Sequence, residues 1–228
     1  MLTAILVQDT VSTEEVHPIA PEHIDDQARC LLEDMTVQAI KVGPLYTTES
    51  VSVLAQVAAD YSQVPLVLHL QRLPDDALLE DVDAEDVLLA TLELLLPQTD
   101  IVVVDHNLLL QWQSQGVFSA SAASTPAQAL LDYGAKWVLS TGAPLRPGQG
   151  SHLLQGQRNV TSSWHWQAPT ARLADADGPL ACAIAVQLAQ GLDVVPAVEA
   201  AVSMAGPLAA RSFQPGMGQR LINRSTQP

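Results

Sequence analysis

The chain has 228 residues and a formal net charge of −15 at pH 7, which disfavours a protein that binds the phosphate backbone of nucleic acid. The first residues, MLTAILVQDT, carry neither a basic segment nor a long apolar run, so they do not predict a secretion signal. The most apolar stretch, residues 87–96, is too short to cross a bilayer. We therefore expect a cytoplasmic protein of one domain, residues 1–228, that binds neither nucleic acid nor membrane.

Apolar runs alternate along the chain with stretches whose apolar residues recur at helical spacing, which predicts strands and helices in turn. The predicted strands are residues 3–8 (a buried strand), 37–42, 65–70, 101–104, 137–140 and 160–167. The predicted helices begin at Pro21, at Thr47 or Thr48, at Ala84, at Pro126, at Pro179 and at about Pro196. Residues 146–157 are rich in glycine and glutamine and are predicted to form a loop. This alternation favours an α/β fold with a mostly parallel sheet.

The ends of the predicted strands carry polar and turn-forming residues. In chain order these are Gln8-Asp9, Gly43-Pro44, His69, Asp105-His106-Asn107 and Thr141-Gly142. Because ligands of parallel sheets bind where the carboxyl ends of the strands meet, these residues predict one shared site. Histidine and aspartate at such positions could surround a metal ion, but they more often form an ordinary polar rim, and we expect no metal site.

The segment LADADGPLACAIAVQLAQGL, residues 173–192, predicts a loop that leads into an apolar helix. Pro179 suits the first helical position, and Gly191 suits the left-handed residue that ends the helix. A helix N-terminus at this edge of a sheet is an anion site, because its amides are free and its dipole is positive. In this chain Asp175 and Asp177 place two carboxylates there.

Five segments follow one another in an order and spacing typical of one family: TAILVQDT (3–10), AIKVG (39–43), Thr141-Gly142, AIAVQLAQG (183–191) and QPGMGQ (214–219). Together they resemble, nearly end to end, the hydroxymethylpyrimidine/phosphomethylpyrimidine kinases of thiamin biosynthesis. The resemblance implies a three-layer α/β sandwich with a ribokinase-like fold around a mostly parallel central sheet. It also implies ATP and Mg²⁺ as cofactors, a small pyrimidine as ligand, and a homodimer.

The chain departs from the family pattern at positions that the family uses for binding and catalysis. The family begins with a strand and a glycine-rich turn, and the expected fold lacks both. His69 stands in place of the aspartate of a "D-P-V" motif, and Leu110 in place of the acid of "T-P-N-x-x-E", whose asparagine is matched by Asn107. Asp175-Ala176-Asp177-Gly178 replaces the family's "G-T-G-C", so the catalytic-base position is Gly178.

The resemblance assigns site residues to several strand and helix ends. The expected substrate-binding residues are Gln8, Gly43 and His69. The expected cofactor-binding residues are Asn107, Thr141, Gly142 and Gly178. Of these, Gln8 suits a pyrimidine edge on its own chemistry, because a side-chain amide both donates and accepts hydrogen bonds.

Two carboxylates beside a bound phosphate are unfavourable, so the sequence makes ATP binding at Gly178 doubtful. Asp175 and Asp177 therefore either cap the helix, which we favour, or take part in catalysis, with Asp177 as a displaced base. The preferred hypothesis is a degenerate family member with weak or lost kinase activity and a retained pyrimidine pocket. The alternatives are an active hydroxymethylpyrimidine kinase that uses Asp177, and a non-catalytic structural partner subunit.

Overall fold

The computed structural model describes residues 1–72, 83–118, 125–146, 149–157, 161–166 and 173–224. Ten strands are found within these ranges: β1 Ala4–Gln8, β2 Thr13–Pro18, β3 Ile40–Val42, β4 Leu66–Leu70, β5 Ile101–Asp105, β6 Trp137–Arg146, β7 Gln149–Gly156, β8 Thr161–Trp166, β9 Ser212–Phe213 and β10 Leu221–Ile222. The helices are α1 Pro21–Asp34, α2 Thr48–Asp60, α3 Ala84–Ala90, α4 His106–Gln115, α5 Pro126–Asp132, α6 Gly178–Ala189 and α7 Val194–Ala210.

Six strands form the central sheet, in the order β3-β4-β5-β6-β7-β8. The pairs from β3 to β6 are parallel, and β7 and β8 add antiparallel strands beside β6. Successive side chains of a strand point to opposite faces, so β5 contributes Val102 and Val104 to one core and Ile101 and Val103 to the other. One core lies under α1 to α5 and the other under α6 and α7. The predicted α/β fold with a mostly parallel sheet is therefore confirmed.

Several predicted helix boundaries are confirmed by their caps. Thr47 accepts a hydrogen bond from the Ser50 N–H at the start of α2, and Thr125 does the same for Gln128 at the start of α5. Gly191 adopts a positive φ of 86° just after α6. The helix predicted over 84–96 departs from α geometry at Thr91–Leu95, which form a π turn, and at Leu96–Gln98, which form a 3₁₀ turn.

The burial predicted for one strand was wrong, and one strand was predicted as a loop. Residues 3–8 were expected to form a buried strand, but β1 pairs with β2 in a separate two-stranded hairpin, and its Ile5 and Val7 are exposed. Residues 146–157 were expected to form a loop, but β7 occupies most of them, between β6 and β8. The composition was misleading because Gly156 is required by packing: a Cβ atom there would overlap the Trp137 ring of the adjacent strand.

The segment after α7 returns to the N-terminal hairpin. Strands β9 and β10 pair with each other, and the residues between them contact Thr10 in the turn of the β1–β2 hairpin. Among the described residues, no helix combines the length and the apolar character that crossing a bilayer would require.

Candidate functional site

Strand alternation places three polar side chains on one face of the sheet. In β4, β5 and β6, every second side chain belongs to the core under α6 and α7. The same alternation reaches His69 and Asp105 near the carboxyl ends of β4 and β5, and Thr141 in the middle of β6, where it pairs with Asp105. The strand predicted over 137–140 continues to Arg146, so Thr141 does not end it as the sequence suggested. Helix α6 begins above this edge, so its first turn and the preceding loop meet the three residues.

A cavity of about 510 Å³ lies between these strand ends and the loop before α6. Carboxylate, amide and imidazole side chains line it, together with one guanidinium. They are His69, Gln71, Arg72, Asp105, Asn107, Gln111, Asp175, Asp177 and Gln219. A smaller cavity of about 360 Å³ adjoins it on the side of α3 and α4 and shares His69, Gln71 and Arg72.

The Asp175 side chain is hydrogen-bonded to the N-terminus of α6. Its Oδ1 accepts a hydrogen bond of 2.8 Å from the Gly178 N–H, the first amide of the helix. The carboxylate lies so close that a Cβ atom at residue 178 would overlap it. The Gln71 side-chain amide donates to the same oxygen at 3.2 Å. The position where this helix would bind an external anion is therefore filled by Asp175.

Asp177 is the N-cap residue of α6, but its side chain does not cap the helix. Its Oδ2 accepts a 2.6 Å hydrogen bond from the Thr141 hydroxyl in the middle of β6. Burial raises the pKa of Asp177 to about 6, the Thr141 hydrogen bond opposes that shift, and the negative charges of Asp105 and Asp175 add to it. A part-buried carboxyl group with this pKa is suited to proton transfer near neutral pH.

His69 is buried, with 2% of its surface exposed. Burial lowers the pKa of its imidazole to about 4; the nearby charge of Asp175 opposes this shift and that of Lys41 reinforces it. The Gln71 amide nitrogen lies 3.3 Å from each ring nitrogen. His69 is therefore a neutral imidazole at pH 7 and supplies no positive charge to the cavity.

The described residues do not fit a triphosphate with Mg²⁺ at the start of α6. The Gly178 amide is already hydrogen-bonded, and Asp175 and Asp177 bring negative charge to the same place. The one guanidinium on the cavity wall, that of Arg72, donates to the Gln111 side chain. Within the described ranges, no group of three histidine, cysteine or acidic side chains is arranged to hold a metal ion.

The structure brings some of the predicted site residues together and leaves others apart. His69, Asn107 and Asp177 line the larger cavity. Thr141 and Gly178 are not among its lining residues, but they donate hydrogen bonds to Asp177 and Asp175, respectively. The other three predicted residues lie elsewhere: Gly43 lines the smaller cavity, Gly142 has a positive φ of 67° in an irregular part of β6, and Gln8 is exposed on the hairpin.

Sequence reasoning missed four polar cavity residues, Gln71, Arg72, Gln111 and Gln219. Gln71 follows His69 by two positions, so the alternation that places His69 could have identified it. Gln219 lies in a tail without periodicity; the QPGMGQ segment of the resemblance includes it but gives it no role, and only the fold brings it to the cavity.

A family model for phosphomethylpyrimidine kinase matches residues 1–223 of the chain. The hydroxymethylpyrimidine/phosphomethylpyrimidine kinase of Mycobacterium bovis is 30% identical over 87% of this chain and 72% of that protein. The chloroplastic thiamine biosynthetic bifunctional enzyme of Arabidopsis thaliana is 27% identical over 88% of this chain, which spans only 38% of that enzyme. Among solved structures, Bacillus subtilis pyridoxal kinase in complex with ADP has a TM-score of 0.80 and 19% identity, covering 97% of this chain and 84% of that one.

Proposed function

Because the chain belongs to the phosphomethylpyrimidine kinase family, we propose that it is a kinase-like protein of thiamin metabolism in which phosphoryl transfer from ATP is weak or lost and a pyrimidine site is kept. The observation that carries this proposal is the hydrogen bond between the Asp175 carboxylate and the Gly178 amide at the start of α6. An incoming phosphate would have to displace that carboxylate and then remain beside it.

Charge repulsion makes such displacement unfavourable. Two unit charges about 5 Å apart, at an effective dielectric constant of about 20, repel by about 3 kcal/mol. Since about 1.4 kcal/mol changes an affinity tenfold, one carboxylate lowers phosphate affinity by about a hundredfold. A neutral pyrimidine does not experience this repulsion, and a cavity of about 510 Å³ has the volume of ordinary small-molecule pockets.

Calorimetry with separate titrations of hydroxymethylpyrimidine and of ATP with Mg²⁺ tests the proposal. We expect the wild-type protein to bind the pyrimidine and not the nucleotide. In Asp175→Ala, nucleotide affinity should rise at least about tenfold, because the Gly178 amide becomes free and one negative charge is removed. Asp193→Ala removes the same charge at the start of α7 and is the matched control. Micromolar ATP binding by the wild type, or no gain in Asp175→Ala, would contradict the proposal.

The state of Asp177 favours a second candidate function, an active kinase of hydroxymethylpyrimidine or a related alcohol. Its pKa of about 6 and its position on the cavity wall suit a base that takes the proton of a ligand hydroxyl. Steady ATP turnover with hydroxymethylpyrimidine, abolished in Asp177→Asn and kept in Asp193→Asn, would establish this function in place of the first.

We also infer a cytoplasmic homodimer in which residues 1–228 form one domain. The dimer follows from the family resemblance, and light scattering after size-exclusion chromatography tests it directly. A mass of 24.3 kDa, that of one chain, would contradict the dimer.

A further inference from the structure

The C-terminal tail connects the β1–β2 hairpin to the larger cavity. The Gln219 N–H donates a 2.7 Å hydrogen bond to the Thr10 carbonyl, and the Gly218 N–H donates to the Thr10 hydroxyl at 3.1 Å. Thr10 lies in the turn between β1 and β2. Two consecutive amides of the tail are therefore held by one residue of the hairpin.

Arg220, the next residue, joins the tail to the loop that precedes α6. The Arg220 carbonyl accepts a 3.0 Å hydrogen bond from the Ala174 N–H, and Leu173 pairs with Arg220 as an isolated parallel bridge. Ala174 immediately precedes Asp175. The backbone of Gln219 is thus fixed between the hairpin turn and the acidic loop.

Close packing at Gly218 adds to this restraint. A Cβ atom at this position would overlap the Thr10 carbonyl oxygen and carbon, so the backbones approach as closely as they do only because residue 218 is glycine. A side chain at the next position is consequently presented from a rigid support, which lowers the entropy lost when it binds a ligand.

The Gln219 side chain lines the cavity beside Asp175 and Asp177 and is half-buried. Among the described residues, its amide forms no hydrogen bond. The group therefore has a free donor and a free acceptor on the cavity wall. An amide of this kind pairs with an amino group next to a ring nitrogen, since it accepts from the first and donates to the second.

We infer that Gln219 is a ligand-contacting residue that selects amino-substituted pyrimidines in the larger cavity. This inference rests on the proposed function and adds to it the residue that forms hydrogen bonds with the pyrimidine. The sequence predicted this role for the side-chain amide of Gln8, but Gln8 is exposed on the hairpin and does not line the cavity. The hairpin contributes instead through Thr10, which fixes Gln219.

Binding of an amino-substituted hydroxymethylpyrimidine to the wild type and to Gln219→Ala tests the inference. We expect the dissociation constant to rise about tenfold in the variant, the effect of losing one or two hydrogen bonds to an uncharged ligand. Gln56→Ala, which removes an exposed amide on α2, should bind as the wild type does. An unchanged affinity in Gln219→Ala, or a loss confined to Gln8→Ala, overturns the inference while the proposed function stands. No binding by the wild type overturns both.

A second ligand separates recognition from a structural effect of the tail. The same pyrimidine without its amino group should bind wild type about tenfold more weakly, and Gln219→Ala should bind the two compounds alike. Gly218→Ala, which forces the tail away from Thr10, should weaken the amino compound while leaving the melting temperature within a few degrees. If Gln219→Ala weakens both compounds equally, its role is structural and the inference is wrong.

Discussion

Helices α4 and α6 both begin on the larger cavity with aspartate as the N-cap residue, yet the two aspartates accept hydrogen bonds from different kinds of donor. Asp105 caps α4 by accepting a 3.0 Å hydrogen bond from the Leu108 N–H. Asp177 makes no such bond and instead accepts one from Thr141, while Asp175 bonds the first amide of α6. A carboxylate at a helix start is therefore a cap only where the backbone leaves an amide within its reach.

Backbone geometry explains the difference. Asp105 has the extended conformation usual for an N-cap, with ψ of 133°, whereas Asp177 is already helical, with ψ of −16°. Pro179 stands at the second position of α6 and has no N–H to offer. Both features turn the Asp177 carboxyl group toward Thr141, where it is partly buried and has the raised pKa.

Asp177→Asn gives the largest effect that follows from this comparison. The folded protein holds the Asp177 proton up to a pH of about 6, above the ordinary pKa of 3.8. Stability is therefore lost as pH rises from about 4 to about 6, because the folded state binds the proton more tightly than the unfolded chain does. The asparagine avoids that loss, so the variant should be more stable by about 2–3 kcal/mol at pH 7.5 and unchanged near pH 3.5.

Urea denaturation across this pH range measures the difference. Asp193→Asn, an exposed N-cap of α7 without a side-chain cap, removes the same charge and should shift stability by less than about 0.5 kcal/mol. A stabilisation by Asp177→Asn that is equal at both ends of the pH range would show that Asp177 does not titrate as described.

Thr141→Val should have a smaller effect of opposite sign. It removes the hydroxyl that bonds the Asp177 carboxylate, so the free energy of unfolding should fall by about 1–2 kcal/mol at pH 7.5. The loss should shrink at pH 5, where Asp177 is protonated and the hydroxyl no longer bonds a charge. Denaturation at both pH values checks this, and Thr141→Ser, which keeps the hydroxyl, should recover most of the stability. Equal losses in the valine variant at both pH values would be evidence against a charged acceptor.

The sequence predicted most of the fold because periodicity and caps are local signals. The apolar runs of β4 and β5, the cap at Thr47 and the glycine at 191 were all found from neighbouring residues. The position of β1 was not found, because an apolar run does not reveal which strand will pair with it. Strand β7 was hidden because one of its glycines accommodates Trp137, a contact between strands.

The site was predicted less completely for the same reason. The pair Asp175 and Asp177 was identified as capping or catalytic from its place before a helix, and the structure shows that Asp175 caps while Asp177 does not. The catalytic role of Asp177 stays a prediction. Gln219 ends the QPGMGQ segment that the resemblance singled out, but no role was assigned to it, because its cavity position depends on contacts with Thr10, which lies more than two hundred residues earlier in the chain.

The smallest expected effect is the loss of stability when the side chain that caps a helix is removed. Asp105→Ala removes the cap of α4, which should cost about 1 kcal/mol at pH 5. At pH 7.5 the cost should be smaller, because Asp105 raises the pKa of Asp177 and its removal relieves the ionised carboxylate. Thr125→Ala removes the cap of α5, and Thr125 does not line either cavity, so about 1 kcal/mol should be lost at both pH values. If the loss in Asp105→Ala were the same at both pH values, as it is in Thr125→Ala, Asp105 and Asp177 would not interact, and the raised pKa would have to come from burial and the charge of Asp175.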